Sequence, residues 1–145
     1  EIGFMFSIML IPYALFELPI GWLADNKFGE KEIMIIGFII ILLFTGSMSF
    51  ITTASFAIWT FVLFMTRVGA SSVEITTESY FFKKVKSNDA GIISIFRVTR
   101  PLSFILAPIL SGFALIFVDY RFIFMFLSAT ILVGIVSSLR IRDTL

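Results

Sequence analysis

Six charged side chains sit inside stretches otherwise built for hydrocarbon: Glu17, Arg67, Glu74, Glu78, Arg97 and Arg100. An ionisable group in the core of a bilayer costs from about 2.5 kcal/mol upward, so each needs a partner or an aqueous cavity. Arg67, Ser71, Glu74 and Glu78 recur at spacings of four, three and four, which aligns them as one stripe on a helix. Arg97 and Arg100 share a sector of the next apolar run with Ser103, Ala107 and Ser111. The chemistry open to such a set is ion pairing and, at a carboxylate, carriage of a proton. The chain has no Cys and no His, which removes disulfides, thiolate chemistry, histidine-based triads and most zinc sites. No nucleophile is paired with a base and no metal-ligand cluster is formed, so neither an enzyme nor a cofactor is expected.

The elements that must position these charges follow from composition. Apolar residues make up 59% of the 145, Phe alone accounts for 19, and charged residues for only 14%. A soluble domain of this length would need a more polar exterior, so lipid is the natural solvent. Five charge-poor runs reach the length of about 17 to 25 residues that crosses a hydrocarbon core. They cover residues 2–24, 33–51, 54–82, 90–118 and 122–139. The second and fifth carry no charge at all. The first is no signal peptide, since it lacks a basic leader and contains Glu17, Pro12 and Pro19. The expected fold is therefore an all-α polytopic membrane protein with short connections, its neighbouring helices antiparallel and adjacent. Counting about 1.5 Å per residue from the nearer helix end puts Glu17, Glu74, Arg97 and Arg100 at similar depth, so that three glutamates could meet three arginines. No basic stripe stands clear of the apolar runs, which excludes a nucleic-acid partner.

Basic residues set the orientation. Lys27 and Lys31, then Lys83, Lys84 and Lys86, then Arg140 and Arg142 all fall on one side, against Arg121 on the other. The positive-inside rule places that side, with the C-terminus, in the cytoplasm, and Glu1 outside. The expected location is the plasma (inner) membrane. Glu1 abuts a membrane helix and five is an odd number for a self-contained bundle, so the sequence reads as a fragment lacking at least one upstream helix.

The most polar connection is Gly21-Trp-Leu-Ala-Asp25-Asn26-Lys27-Phe28-Gly29-Glu30-Lys31-Glu32. Gly21 would permit a neighbouring backbone to approach, and Asp25, four residues on, would accept hydrogen bonds from the N–H groups of another helix start. Gly29 would supply a tight turn. A plain polar turn obeying the positive-inside rule explains Lys27, Lys31 and Gly29, though not the Gly21 to Asp25 spacing.

This stretch resembles the loop signature of the major facilitator superfamily of transporters, G-x-x-x-D-[RK]-x-G-[RK]-[RK]. It departs at Asn26, an added residue, and at Glu30 and Glu32, which flank Lys31 where basic residues stand in the signature. Arg67 in "TRVGASSVE" and the Pro108 to Gly112 kink in "APILSG" are similar to features of later helices in the same family, without the full antiporter glycine pattern. The resemblance implies five transmembrane helices of a six-helix half-bundle, helices eight to twelve of twelve, with helices two to six as the alternative. It implies a missing N-terminal half of the same chain as a partner. It also implies that Gly21, Asp25, Lys27, Gly29 and Lys31 form a cytoplasmic gating loop.

The expected function is secondary active transport of a small-molecule substrate by alternating access, with proton coupling suggested by the membrane-embedded glutamates. Arg67, Glu74, Glu78, Glu17, Arg97 and Arg100 are the candidate substrate or ion pathway, Arg67 and Glu74 lying nearest the midplane. The competing reading of the same charges is a fixed ion-pair network that locks helix packing. The competing function is a non-transporting scaffold or sensor on the same fold.

Overall fold

The computed structural model describes residues 2–86 and 88–141. Glu1 and Arg142, both used in the orientation argument, lie outside them. The described residues form five long helices: α1 (Ile2–Leu23), α2 (Glu30–Ser47), α3 (Phe56–Lys84), α4 (Ala90–Phe117) and α5 (Ile123–Leu139). All five, with their flanking turns, are long and apolar enough to cross a membrane. Wide and tight turns link them: a π-helical turn over Ala24–Phe28 and 3-10 turns over Met48–Phe50 and Tyr120–Phe122. Pro12, Pro19, Pro101 and Pro108 lie inside helices, where each removes one backbone donor, a tolerated loss in membrane helices.

At two boundaries the helices take in charge that the sequence reading left to the connections. α2 starts at Glu30 and not at Ile33, and α3 runs on through Lys83 and Lys84. The two extensions lie against each other, joined by an ion pair between Lys83 and Glu30.

Packing does not follow chain order. α2 lies against both α3 and α5, and α3 also against α1, whereas α4 touches the rest only sparingly. Of the sequence neighbours, α2 and α3 pack closely along their length, whereas α1 meets α2 near their joined ends and α4 meets α3 through side chains. Small residues decide which faces meet. A β-carbon on Gly37 would lie 2.9 Å from the Gly69 carbonyl oxygen, and one on Gly69 would lie 2.7 Å from the Gly37 carbonyl oxygen. The α2 and α3 backbones therefore touch directly, as small residues permit in a membrane. Gly134 on α5 receives the ring of Phe38 in the same way, a β-carbon there lying 2.7 Å from it. At the end of α1, Ile20, Ala24 and Ile33 form a small core with Phe16, Leu23 and Ile75. At the opposite end, the Arg121 Nε–H donates to the Ser49 carbonyl at 3.0 Å and ties the start of α5 to the turn after α2.

α4 is held at one end by aromatic contact. Phe96 stacks on Phe81 with ring centroids 3.9 Å apart and planes 9° from parallel, and Phe82 meets it edge-on. Only Ala114 of α4 is buried.

Candidate functional site

Two groups of charge emerge, one in the face shared by α1, α3 and α4, the other at the α1–α2 connection.

The first group is centred on Arg100. From α4 its Nη2 donates to Glu78 Oε1 at 2.7 Å and also pairs with Glu74, one turn earlier on α3. Glu74 and Glu78 reach the same guanidinium because residues four apart on a helix lie one above the other. Glu17 on α1 joins them across a cavity of about 350 Å³, lined by Tyr13, Ala14, Glu17, Glu74, Ile75 and Glu78. A second cavity of about 360 Å³ is lined by Glu78, Phe96, Arg97, Thr99, Arg100 and Pro101. Glu78 forms part of the wall of both.

Five of the six candidate pathway residues are thereby brought together. The sixth is not: Arg67 lies two helical turns before Glu74, about 10 Å along the axis, and lines neither cavity. The expected three-against-three pairing is also corrected. One arginine takes two glutamates, and among the described residues Glu17, Arg67 and Arg97 make no ion pair. The cavities hold three carboxylates and two guanidinium groups. A third cavity, of about 550 Å³ between α4 and α5, is lined almost wholly by apolar side chains such as Leu110, Phe113 and Phe126, with no charged residue in its lining.

At the second group the backbone sets the geometry. The Gly29 N–H donates to the Ala24 carbonyl at 3.1 Å and closes a five-residue, π-type turn. Gly29 then takes φ 82° and ψ 157°, a region open essentially to glycine alone. The tight turn expected at Gly29 is present. Gly21 differs: among the described residues nothing lies within 4 Å of a β-carbon placed there, so none of their backbones approaches it. Asp25 differs as well. Its partner is the Lys83 ammonium, 2.7 Å from Oδ1, in place of a helix start.

Lys83 also pairs with Glu30, whose side chain is 0% exposed and whose Oε1 accepts the Ser79 hydroxyl at 3.0 Å. Lys27 lies 5.8 Å from the centroid of the Trp22 ring. The Asn26 side-chain amide donates to the Trp22 carbonyl at 2.8 Å. Sequence reasoning missed Glu30, Ser79 and Lys83. The available signal was the departure from the loop signature at Glu30, an acid where a base is expected.

The sequence model of the Major Facilitator Superfamily matches residues 1–144. The chain belongs to the major facilitator superfamily. No curated protein and no solved structure matches it. Membership makes this an integral membrane protein and a superfamily transporter. The resemblance in the Gly21 to Glu32 stretch therefore belongs to a family shared along nearly the whole chain, and the Asp25 loop of this superfamily member is anchored by Lys83 from α3.

Proposed function

We propose that the protein moves a small solute by alternating access, coupled to protons, with the α1, α3 and α4 charges lining the cytoplasmic half of the path. The observation that carries this reading is the sharing of Arg100 between Glu74 and Glu78 beside a third carboxylate, Glu17. A proton on either glutamate releases one of the two bonds and leaves Arg100 held by the other. The set therefore has more than one arrangement of partners, as an alternating path requires, without stranding its cation in lipid.

Supporting the aqueous placement, both cavities are lined by ionisable side chains that hydrocarbon would penalise. A second helical bundle packed over this face would complete the cavity and contribute to solute recognition. The loop from Gly21 through Asp25, Lys27, Gly29 and Lys31 acts in this reading as the cytoplasmic gate. The positive-inside rule favours the plasma membrane orientation with the C-terminus in the cytoplasm.

The test is transport by the full-length protein in liposomes carrying a trapped pH-sensitive dye. Amino acids, sugars and organic ions would be added in turn under an imposed pH gradient. Solute-dependent proton movement that is lost in Glu74→Gln or Glu78→Gln is the expected result. Proton-coupled uptake surviving in Glu17→Gln, Glu74→Gln and Glu78→Gln alike would sink the coupling role.

A further inference from the structure

The loop carries two basic residues of its own, Lys27 and Lys31, yet its ion pairs run elsewhere. Lys27 sits beside the Trp22 ring, and among the described residues Lys31 makes no ion pair. The cation that touches the loop comes from the far end of α3. Lys83 holds two carboxylates of unlike character, the 54% exposed Asp25 on the π-helical turn and the wholly buried Glu30 at the first residue of α2.

We infer that Glu30 and Lys83 are the positioning pair of the gating loop, Glu30 fixing the ammonium from the buried side so that its free face holds Asp25. This rests on the reading of the loop as a gate. Three observations carry it. Glu30 is fully buried and bonded to Ser79, so its carboxylate is held a second time by α3, one turn before Lys83. A buried carboxylate retains its charge only with a cation or strong donors beside it, and Lys83 is the cation. Gly29 adjoins Glu30 and fixes the chain direction there, so the buried acid and the exposed Asp25 are presented to one ammonium from either side of a single turn. The acid at position 30 is thus a charge reversal of the signature, answered by a base on α3.

The consequence is that the loop is set from α3, the helix that also carries Glu74 and Glu78. Lys83 lies five residues beyond Glu78 on the same helix. Lys83 is the side chain by which α3 holds the loop.

The experiment places a nitroxide spin label at Phe28→Cys, an exposed position on the turn, in the full-length protein cleared of any other cysteine. Spectra in liposomes are compared for Lys83→Gln, Glu30→Gln, Lys27→Gln and Lys31→Gln, with transport measured alongside. Glu30→Gln keeps the side-chain shape and an acceptor for Ser79. A shift of the label to fast motion in Lys83→Gln and Glu30→Gln, with Lys27→Gln and Lys31→Gln unchanged, is expected. Slow motion is expected to be kept in Lys83→Arg, which retains the positive charge facing both carboxylates. Equal mobilisation by Lys27→Gln or Lys31→Gln, or an unmoved label in Lys83→Gln, overturns the inference. A mobilised loop with unaltered transport keeps the positioning pair and overturns the gate instead.

Discussion

Arg100 of α4 reaches Glu78 of α3 with Nη2 2.7 Å from Oε1, and the same nitrogen pairs with Glu74 one turn away. The two acids form a step on which one cation can rest at either level. This is the only ion pairing between α4 and the rest among the described residues.

Removing the arginine tests that sharing. Arg100→Ala leaves Glu74 and Glu78 facing each other one turn apart, and the protein in detergent is expected to lose about 1 kcal/mol of stability, since the pair is roughly half exposed here. Adding Glu74→Gln and Glu78→Gln to Arg100→Ala should recover most of the loss. Thermal midpoints of the single and combined variants give the coupling directly.

Proton coupling predicts different behaviour in two transport modes. In Glu78→Gln, solute exchange between equal internal and external pools should continue, while accumulation driven by an imposed pH gradient should fall to the level without a gradient. Parallel loss of both modes would instead indicate a structural role for Glu78.

The glycine contacts make opposite predictions at two positions. Gly69→Ala puts a methyl group 2.7 Å from a backbone oxygen of α2, which cannot rotate away, and should cost about 1–3 kcal/mol. Gly21→Ala meets open space in a helix and should be neutral or stabilising by up to about 1 kcal/mol. Thermal unfolding of the two variants decides; equal losses would mean that a neighbour does approach Gly21.

At the turn, Gly29→Ala forces a side chain into φ 82° and ψ 157° and should cost about 1–3 kcal/mol. Because the turn presents both Asp25 and Glu30 to Lys83, a label on Phe28→Cys should gain mobility in the same variant.

The helices themselves were legible in the sequence, since runs such as 33–51 and 122–139 carry no charge and reach the length that crosses a hydrocarbon core. Their partners were not. A helix that is apolar all round offers no stripe to say which side meets protein and which meets lipid, so α2 gave no hint that it would lie against α5 as well as α3. Gly37, Gly69 and Gly134 held that information, but a glycine in a membrane helix does not name the helix it will touch.

Among the site residues, the Glu74 to Glu78 spacing exposed the stripe that Arg100 meets. Arg67 shares the stripe yet lies too far along it. Glu30 was hidden for a different reason. An acid beside Lys31 in a polar connection reads as solvated, and its partners Ser79 and Lys83 lie some fifty positions away in sequence. Phe81 stacks on Phe96 and serves as the seat of α4, a contact that two phenylalanines in a Phe-rich sequence do not announce.

The reciprocal abutment of Gly37 and Gly69 has a mechanical meaning. Where two backbones touch, there are no rotamers to exchange and no slack to absorb a displacement. α2 and α3 must therefore travel as one stiff plate, with α5 keyed to it through Gly134 and Phe38. Compliance is left to the sparsely held α4, whose fastenings to α3 are an aromatic stack and a shared guanidinium. In this bundle α4 is the joint, and its bearings are the same side chains that carry the charge.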